Sequence, residues 1–63
     1  MYKHVLGYEG QGLEVDIYLT VSDYSVSIFD TEALEMVEEF KTDLPLLHII
    51  AGINKVYDTN IVD

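Results

Sequence analysis

Residues 13–22, Leu-Glu-Val-Asp-Ile-Tyr-Leu-Thr-Val-Ser, decide the fold. Every odd-numbered position in this stretch is apolar, and nearly every even-numbered position is polar. Because successive side chains of a strand point to opposite faces, this alternation predicts a β-strand with one buried face and one solvent-exposed face. The remaining elements follow from the sequence on either side of this strand.

Two further strands flank it. Residues 2–8 are rich in β-forming residue types and lead into Glu-Gly-Gln-Gly at 9–12, whose glycines suit a hairpin turn. After a turn at Ser22 and Asp23, residues 24–29 alternate again between apolar and polar. The sequence therefore predicts a three-stranded antiparallel meander at about 2–8, 13–22 and 24–29.

The periodicity changes from 2 to 3.6 at Asp30, which is a good helix N-cap. Phe29 and Leu34 stand at the two positions of a hydrophobic staple. We expect an amphipathic helix over residues 31–42 that packs on the sheet. Its predicted apolar stripe consists of Ala33, Met36, Val37 and Phe40.

Residues 45–54 form a second apolar segment, either a helix or a strand. Pro45 suits a first helical turn, whereas Gly52 and several β-branched residues would also be consistent with a strand. If the segment is helical, it is apolar on more than one face, and a two-fold partner could bury the surplus. The predicted fold is thus α+β in a single small domain, residues 1–63. The predicted self-association residues are Leu46, Leu47, Ile50 and Ala51.

Composition argues against several functions. Twelve acidic residues and three lysines give the 63-residue chain a net charge of -9, which repels nucleic-acid phosphates and anionic membranes. The longest nearly uninterrupted apolar run, 44–51, is far shorter than the roughly 20 residues of a membrane span. The N-terminus lacks the pattern of a signal peptide, so we expect a cytoplasmic protein, in its source cell or in an infected host.

The residues of catalysis and metal binding do not form recognisable motifs. The chain has no cysteine, its two histidines have no metal-ligand spacing, and its serines lack a nucleophile context. We therefore expect no enzyme activity, no cofactor and no metal.

The small size of the chain favours a homo-oligomer. By size scaling, the hydrophobic free energy gained on folding, on the order of 95 kcal/mol, about equals the conformational-entropy cost of ordering the chain.

The acidic residues are the candidate functional feature. On the predicted helix, four glutamates fall opposite the apolar stripe, and on the second strand three polar side chains share the exposed face. These candidate partner-binding residues are Glu32, Glu35, Glu38 and Glu39, together with Glu14, Asp16 and Tyr18. A dense anionic surface with an exposed tyrosine fits a basic protein partner. The alternative is that the acids only keep an apolar chain soluble and that Tyr18 pairs across strands.

The function expected from the sequence is that of a non-enzymatic acidic binding protein. Its most specific form is a small inhibitor, such as a phage could encode, that occupies the nucleic-acid-binding surface of a partner. The alternative is a structural or assembly subunit that self-associates through its apolar C-terminal segment. In that case the acids would contribute only solubility.

Overall fold

The computed structural model describes residues 2–62 and consists of a four-stranded antiparallel sheet with a C-terminal helix on one face. The strand order is β1-β2-β3-β4, as in a simple meander. The predicted α+β class and the first three strands are confirmed, and the segment after Pro45 is a helix. The elements are β1 (Lys3–Gly10), β2 (Leu13–Leu19), β3 (Tyr24–Asp30), β4 (Glu35–Thr42) and α1 (Leu46–Tyr57).

The core lies between the two middle strands and α1. Alternation in β2 and β3 places four fully buried side chains on one face of the sheet, and isoleucines of α1 and of the C-terminal tail pack against them. This arrangement confirms that the alternation at 13–19 marks a strand with one buried face. The core consists of Val15, Ile17, Val26, Ile28, Ile49, Ile50, Ile53 and Ile61.

The first two hairpin turns fix the register of the sheet. Gln11 and Gly12 have φ angles of 53° and 75°, the positive values that a tight two-residue hairpin requires. The β2–β3 turn begins earlier than the alternation suggests, because the Thr20 amide donates to the Asp23 carbonyl at 2.8 Å. The second strand therefore ends at Leu19 rather than at Ser22.

The predicted helix at 31–42 is wrong. Asp30 does act as a cap, since its Oδ1 accepts from the amides of Glu32 and Ala33, both at 2.9 Å. Only one helical turn forms, because Leu34 adopts a left-handed φ of 58° and reverses the chain. Residues from Glu35 onward return along β3 as β4 instead of continuing as a helix.

A β-bulge explains why the β4 sequence has a helix-like period. Val37 is an extra residue between the pairs Ile28–Glu38 and Phe29–Met36, so the side-chain alternation shifts by one position there. Apolar residues on both sides of that shift then recur at helical spacing although the backbone is extended. The other edge strand, β1, contains a similar irregularity at Val5.

Helix α1 begins after Pro45, whose carbonyl accepts from the amides of His48 and Ile49. It continues through Gly52 and ends at Tyr57, where Asp58 takes a left-handed conformation. Lys55 in its last turn complements the helix dipole.

Asn54 holds the segment after α1, residues 58–62, which we call the tail, through three hydrogen bonds. Its Nδ2 donates to the Ile61 carbonyl at 3.0 Å, and its Oδ1 accepts from the Thr59 hydroxyl and from the Ile61 amide at 2.7 and 2.9 Å. The Asn60 amide donates to the Tyr8 hydroxyl of β1 at 3.2 Å. The tail therefore covers the β1 side of the sheet beside α1 and buries Thr59 and Ile61.

The β4 side of the same face has no such cover. An open groove of about 280 Å³ lies between α1 and β4, with Phe40, Ile49 and Ile53 among the side chains that form it. Leu44 and Val56 border this groove and remain exposed. We call it the α1–β4 groove.

The left-handed residue provides a test of the hairpin. We expect Leu34→Gly to raise the free energy of unfolding by about 0.5–1 kcal/mol, because glycine removes the steric cost of a left-handed side chain. Ala33→Gly, one residue away, should lower it by gaining freedom in the unfolded chain. Urea unfolding of both variants checks this. If residues 31–42 were a helix, both glycine variants would have a lower free energy of unfolding, and that result would contradict the hairpin.

The Asn54 contacts predict a second stability effect. Asn54→Ala should lower the free energy of unfolding by about 2 kcal/mol, because the Thr59 hydroxyl and the Ile61 amide lose their partner while buried. The control is Asn60→Ala, since Asn60 contributes only a backbone amide. Equal unfolding midpoints for the two variants would show that the tail is not held through Asn54.

Candidate binding surface

The sheet face opposite α1, which we call the open face, carries three rows of side chains that cross all four strands. Each row follows from the strand register. From one end of the sheet to the other, the rows are His4, Tyr18, Ser25 and Lys41; then Gly7, Asp16, Ser27 and Glu39; then Glu9, Glu14, Phe29 and Met36.

The second and third rows gather four carboxylates. Glu9 and Glu14 lie directly opposite each other on β1 and β2, and Asp16 and Glu39 lie on either side of Ser27. Same-face neighbours along a strand are about 7 Å apart and adjacent strands about 4.8 Å apart, so the four groups share a patch about 16 Å across, from β1 to β4. Two like charges opposite each other in a ladder oppose folding.

One histidine partly balances this patch. His4 Nε2 lies 2.9 Å from Asp16 Oδ1, an ion pair when the ring is protonated. Among residues 2–62, no lysine forms an ion pair with Glu9, Glu14 or Glu39. Three of the four carboxylates, those of Glu9, Glu14 and Glu39, are therefore exposed to solvent without an ion-pair partner among the described residues.

The rings of His4 and Tyr18 in the first row lie close to each other, and the Tyr2 ring lies beside them. The Tyr18 ring lies edge-on to His4, with centroids 5.0 Å apart, and 6.4 Å from the Tyr2 ring. Lys41 Nζ lies 5.7 Å from the centroid of Tyr2. Tyr18 does pair with aromatic neighbours across strands, and it remains partly exposed on the open face.

The sequence-predicted acidic residues divide between two faces. Glu14, Asp16 and Tyr18 lie together on the open face, as the alternation of β2 predicts, and Glu39 joins them from β4. The predicted common face for the four glutamates is wrong because residues 35–42 form a strand. Glu32 lies in the β3–β4 turn, near Gly12, and Glu35 begins β4.

Glu38 points to the α1 side of the sheet. Its Oε1 accepts a hydrogen bond from the Tyr57 hydroxyl at 2.7 Å, which joins the last turn of α1 to β4 at the border of the α1–β4 groove. This hydrogen bond raises the pKa of Tyr57 above its usual value. Burial and the negative charge of Glu38 raise it further, by smaller amounts. Glu38 is thus a structural contact rather than part of the open face.

The four predicted self-association residues also separate. Ile50 is buried in the core and Leu46 packs against it, so both contribute to the chain's own interior. Leu47 and Ala51 are exposed, on the side of α1 away from the α1–β4 groove. No residue spacing in the sequence predicts the groove, because the groove depends on how α1 docks beside β4.

Two kinds of feature are absent from the described residues. Among residues 2–62, no cluster of three or more histidine, aspartate or glutamate side chains could hold a metal ion. Over the same residues, no helix has the length and apolar character needed to cross a membrane.

Comparison of the chain with protein-family models, with curated proteins and with solved structures finds no match. The open face and the α1–β4 groove are therefore interpreted from their own chemistry.

The Tyr57–Glu38 hydrogen bond predicts a pH effect. Because the folded-state pKa of Tyr57 is raised, its stabilising contribution is complete below pH about 10 and is lost as the pH rises through the folded value. We expect Tyr57 to ionise at lower pH in Glu38→Ala than in the natural chain. Tyrosinate absorbance, with the signal of a Tyr57→Phe variant subtracted in each background, isolates this residue. Identical titrations in the two backgrounds would contradict the assignment.

Proposed function

We propose that this chain is a non-enzymatic binding protein whose open face docks on a basic surface of another protein. The observation that carries the proposal is the patch formed by Glu9, Glu14, Asp16 and Glu39, in which two glutamates stand directly opposite each other without a lysine partner. A solvated face that only conferred solubility would not need to place like charges in register. A cationic partner would relieve this repulsion.

The side chains beside the patch suit a protein interface. Phe29 and Met36 occupy the same row as Glu9 and Glu14, and Tyr18 lies in the row beyond Asp16. Aromatic residues and methionine are enriched at protein interfaces, and a tyrosine ring can also stack on an arginine or lysine of the partner. Ser25 and Ser27 are small, so the centre of the face is not blocked by large side chains.

The class of partner follows from charge density. Carboxylates on a sheet lattice of about 4.8 by 7 Å form a compact anionic array, and a duplex likewise presents closely spaced negative charge. A protein groove that binds nucleic acid through lysine and arginine would attract such a surface. The specific proposal is therefore an inhibitor that competes with nucleic acid for a basic groove, in the cytoplasm of its source cell or of an infected host.

A charge-matched pair of variants tests this proposal. In the first, Glu9, Glu14 and Glu39 are changed to Gln, which removes three charges from the open face and leaves the His4–Asp16 contact in place. In the control, Glu32 and Glu35 are changed to Gln and Asp43 to Asn, which removes three charges from the β3–β4 turn, from the first residue of β4 and from the segment after β4. Tagged forms of both, with the natural chain, are used to capture proteins from lysates of the source and of a host.

We expect a nucleic-acid-handling protein to be captured by the natural chain and by the control, and to be lost from the open-face variant. Added duplex DNA and raised salt should both release it, since the contact is ionic and the surfaces compete. Equal capture by both variants, or release by neither DNA nor salt, would contradict the proposal.

A further inference from the structure

Gly52 lies in the middle of α1, although neither its backbone conformation nor any contact within the described chain requires a glycine there. Its φ is not in the left-handed region, and a Cβ built on it would have no atom within 4 Å. Glycine is the least favourable residue of a helix interior after proline, and alanine would fit this position without a clash. A glycine in such a place is explained when another backbone approaches the helix closely at that point.

The surface beside Gly52 is apolar and unoccupied. Gly52 borders the α1–β4 groove, whose floor includes Phe40 and Ile53. On the rim, Leu44 is 50% exposed and Val56 is 73% exposed. The one acid among the groove residues described, Glu38, already accepts the hydrogen bond of Tyr57. An occupant would therefore be an apolar ridge, such as a helix face, that packs against Gly52.

Charge distribution favours a second copy of this chain as that occupant. None of the twelve acidic residues lies between 44 and 57, and Lys55 gives this segment a net charge of +1. The rest of the chain carries -10, so contact through α1 keeps the acidic surfaces of two copies apart. A strongly cationic protein would instead be drawn to the open face on the other side of the sheet.

The molecule also has room for such an interface. A specific interface buries at least about 500 Å² per partner, against a total surface of 4295 Å². The chain measures 32 × 21 × 15 Å, and α1 lies on one of its broad faces. The 12-residue helix is about 18 Å long, which is close to the width of that face.

We infer that the chain forms a two-fold dimer in which α1 of each copy packs against α1 of the other at Gly52 and fills the other's α1–β4 groove. A two-fold interface must be self-complementary, and this surface offers both a groove and the exposed ridge residues Leu44 and Val56. The two open faces then lie on the outside of the dimer.

Sedimentation equilibrium of the natural chain, from low micromolar to near-millimolar concentration, tests the dimer. We expect a mass of twice 7.2 kDa at the upper concentrations. Gly52→Gln keeps a good helix former but blocks close approach, and it should raise the dissociation constant about tenfold or more with the far-ultraviolet circular dichroism unchanged. Leu47→Gln, on the other side of α1, is the control and should leave the dissociation constant unchanged.

Three results would overturn the inference: a natural chain that stays at 7.2 kDa throughout, a Gly52→Gln dimer of natural strength, or equal weakening by Leu47→Gln. If Gly52→Gln does not fold, Val56→Gln replaces it, because Val56 is exposed and its change leaves the helix backbone unaltered. A weakened Val56→Gln dimer supports the inference, and an unchanged one overturns it.

Discussion

The mismatch between the width of the sheet and the width of one helix determines how this molecule is built. Four strands at about 4.8 Å spacing make a sheet nearly 20 Å wide, whereas a helix with its side chains is about 10 Å across. α1 covers Val15, Ile17, Val26 and Ile28 in the middle, and the tail held by Asn54 covers the β1 side. Over the described residues, α1 and the tail leave part of β4 uncovered, so the groove beside α1 and the open face both result from having one helix for two sheet faces.

The sequence predicted β2 and β3 from their undisturbed side-chain period. It predicted β1, which has a bulge at Val5, from its β-forming residue types and the turn that follows it. The alternation at 13–19 and 24–29 and the glycine-containing turn at 9–12 specify three strands from local information alone. β4 could not be predicted in this way, because the bulge at Val37 interrupts its alternation and Asp30 supplies a true capping interaction that ends after one turn. Pairing with β3 across the hairpin, which the side-chain pattern of residues 31–42 does not reveal, decides in favour of the strand.

The candidate surfaces were predictable to the same extent. Glu14, Asp16 and Tyr18 share a face because β2 alternates strictly, and that needed no tertiary information. Whether Glu38 and Glu39 lie on the same side depends on the secondary structure of β4, and the strand separates them. The groove and the Asn54 contacts involve residues that are adjacent only after α1 docks, so no spacing in the sequence reveals them. Gly52 is the one residue whose position in the sequence indicates the groove, because nothing within α1 requires a glycine there.

Both outer strands of the sheet carry a bulge, at Val5 in β1 and at Val37 in β4. An extra residue tilts the free amides and carbonyls of an edge out of the repeat that a neighbouring strand would need. The sheet is thus protected from growing by strand addition, which is the route by which small, apolar β-proteins form fibrils. The two bulges therefore oppose edge-to-edge growth in a chain that has a small core and exposes apolar side chains on its faces.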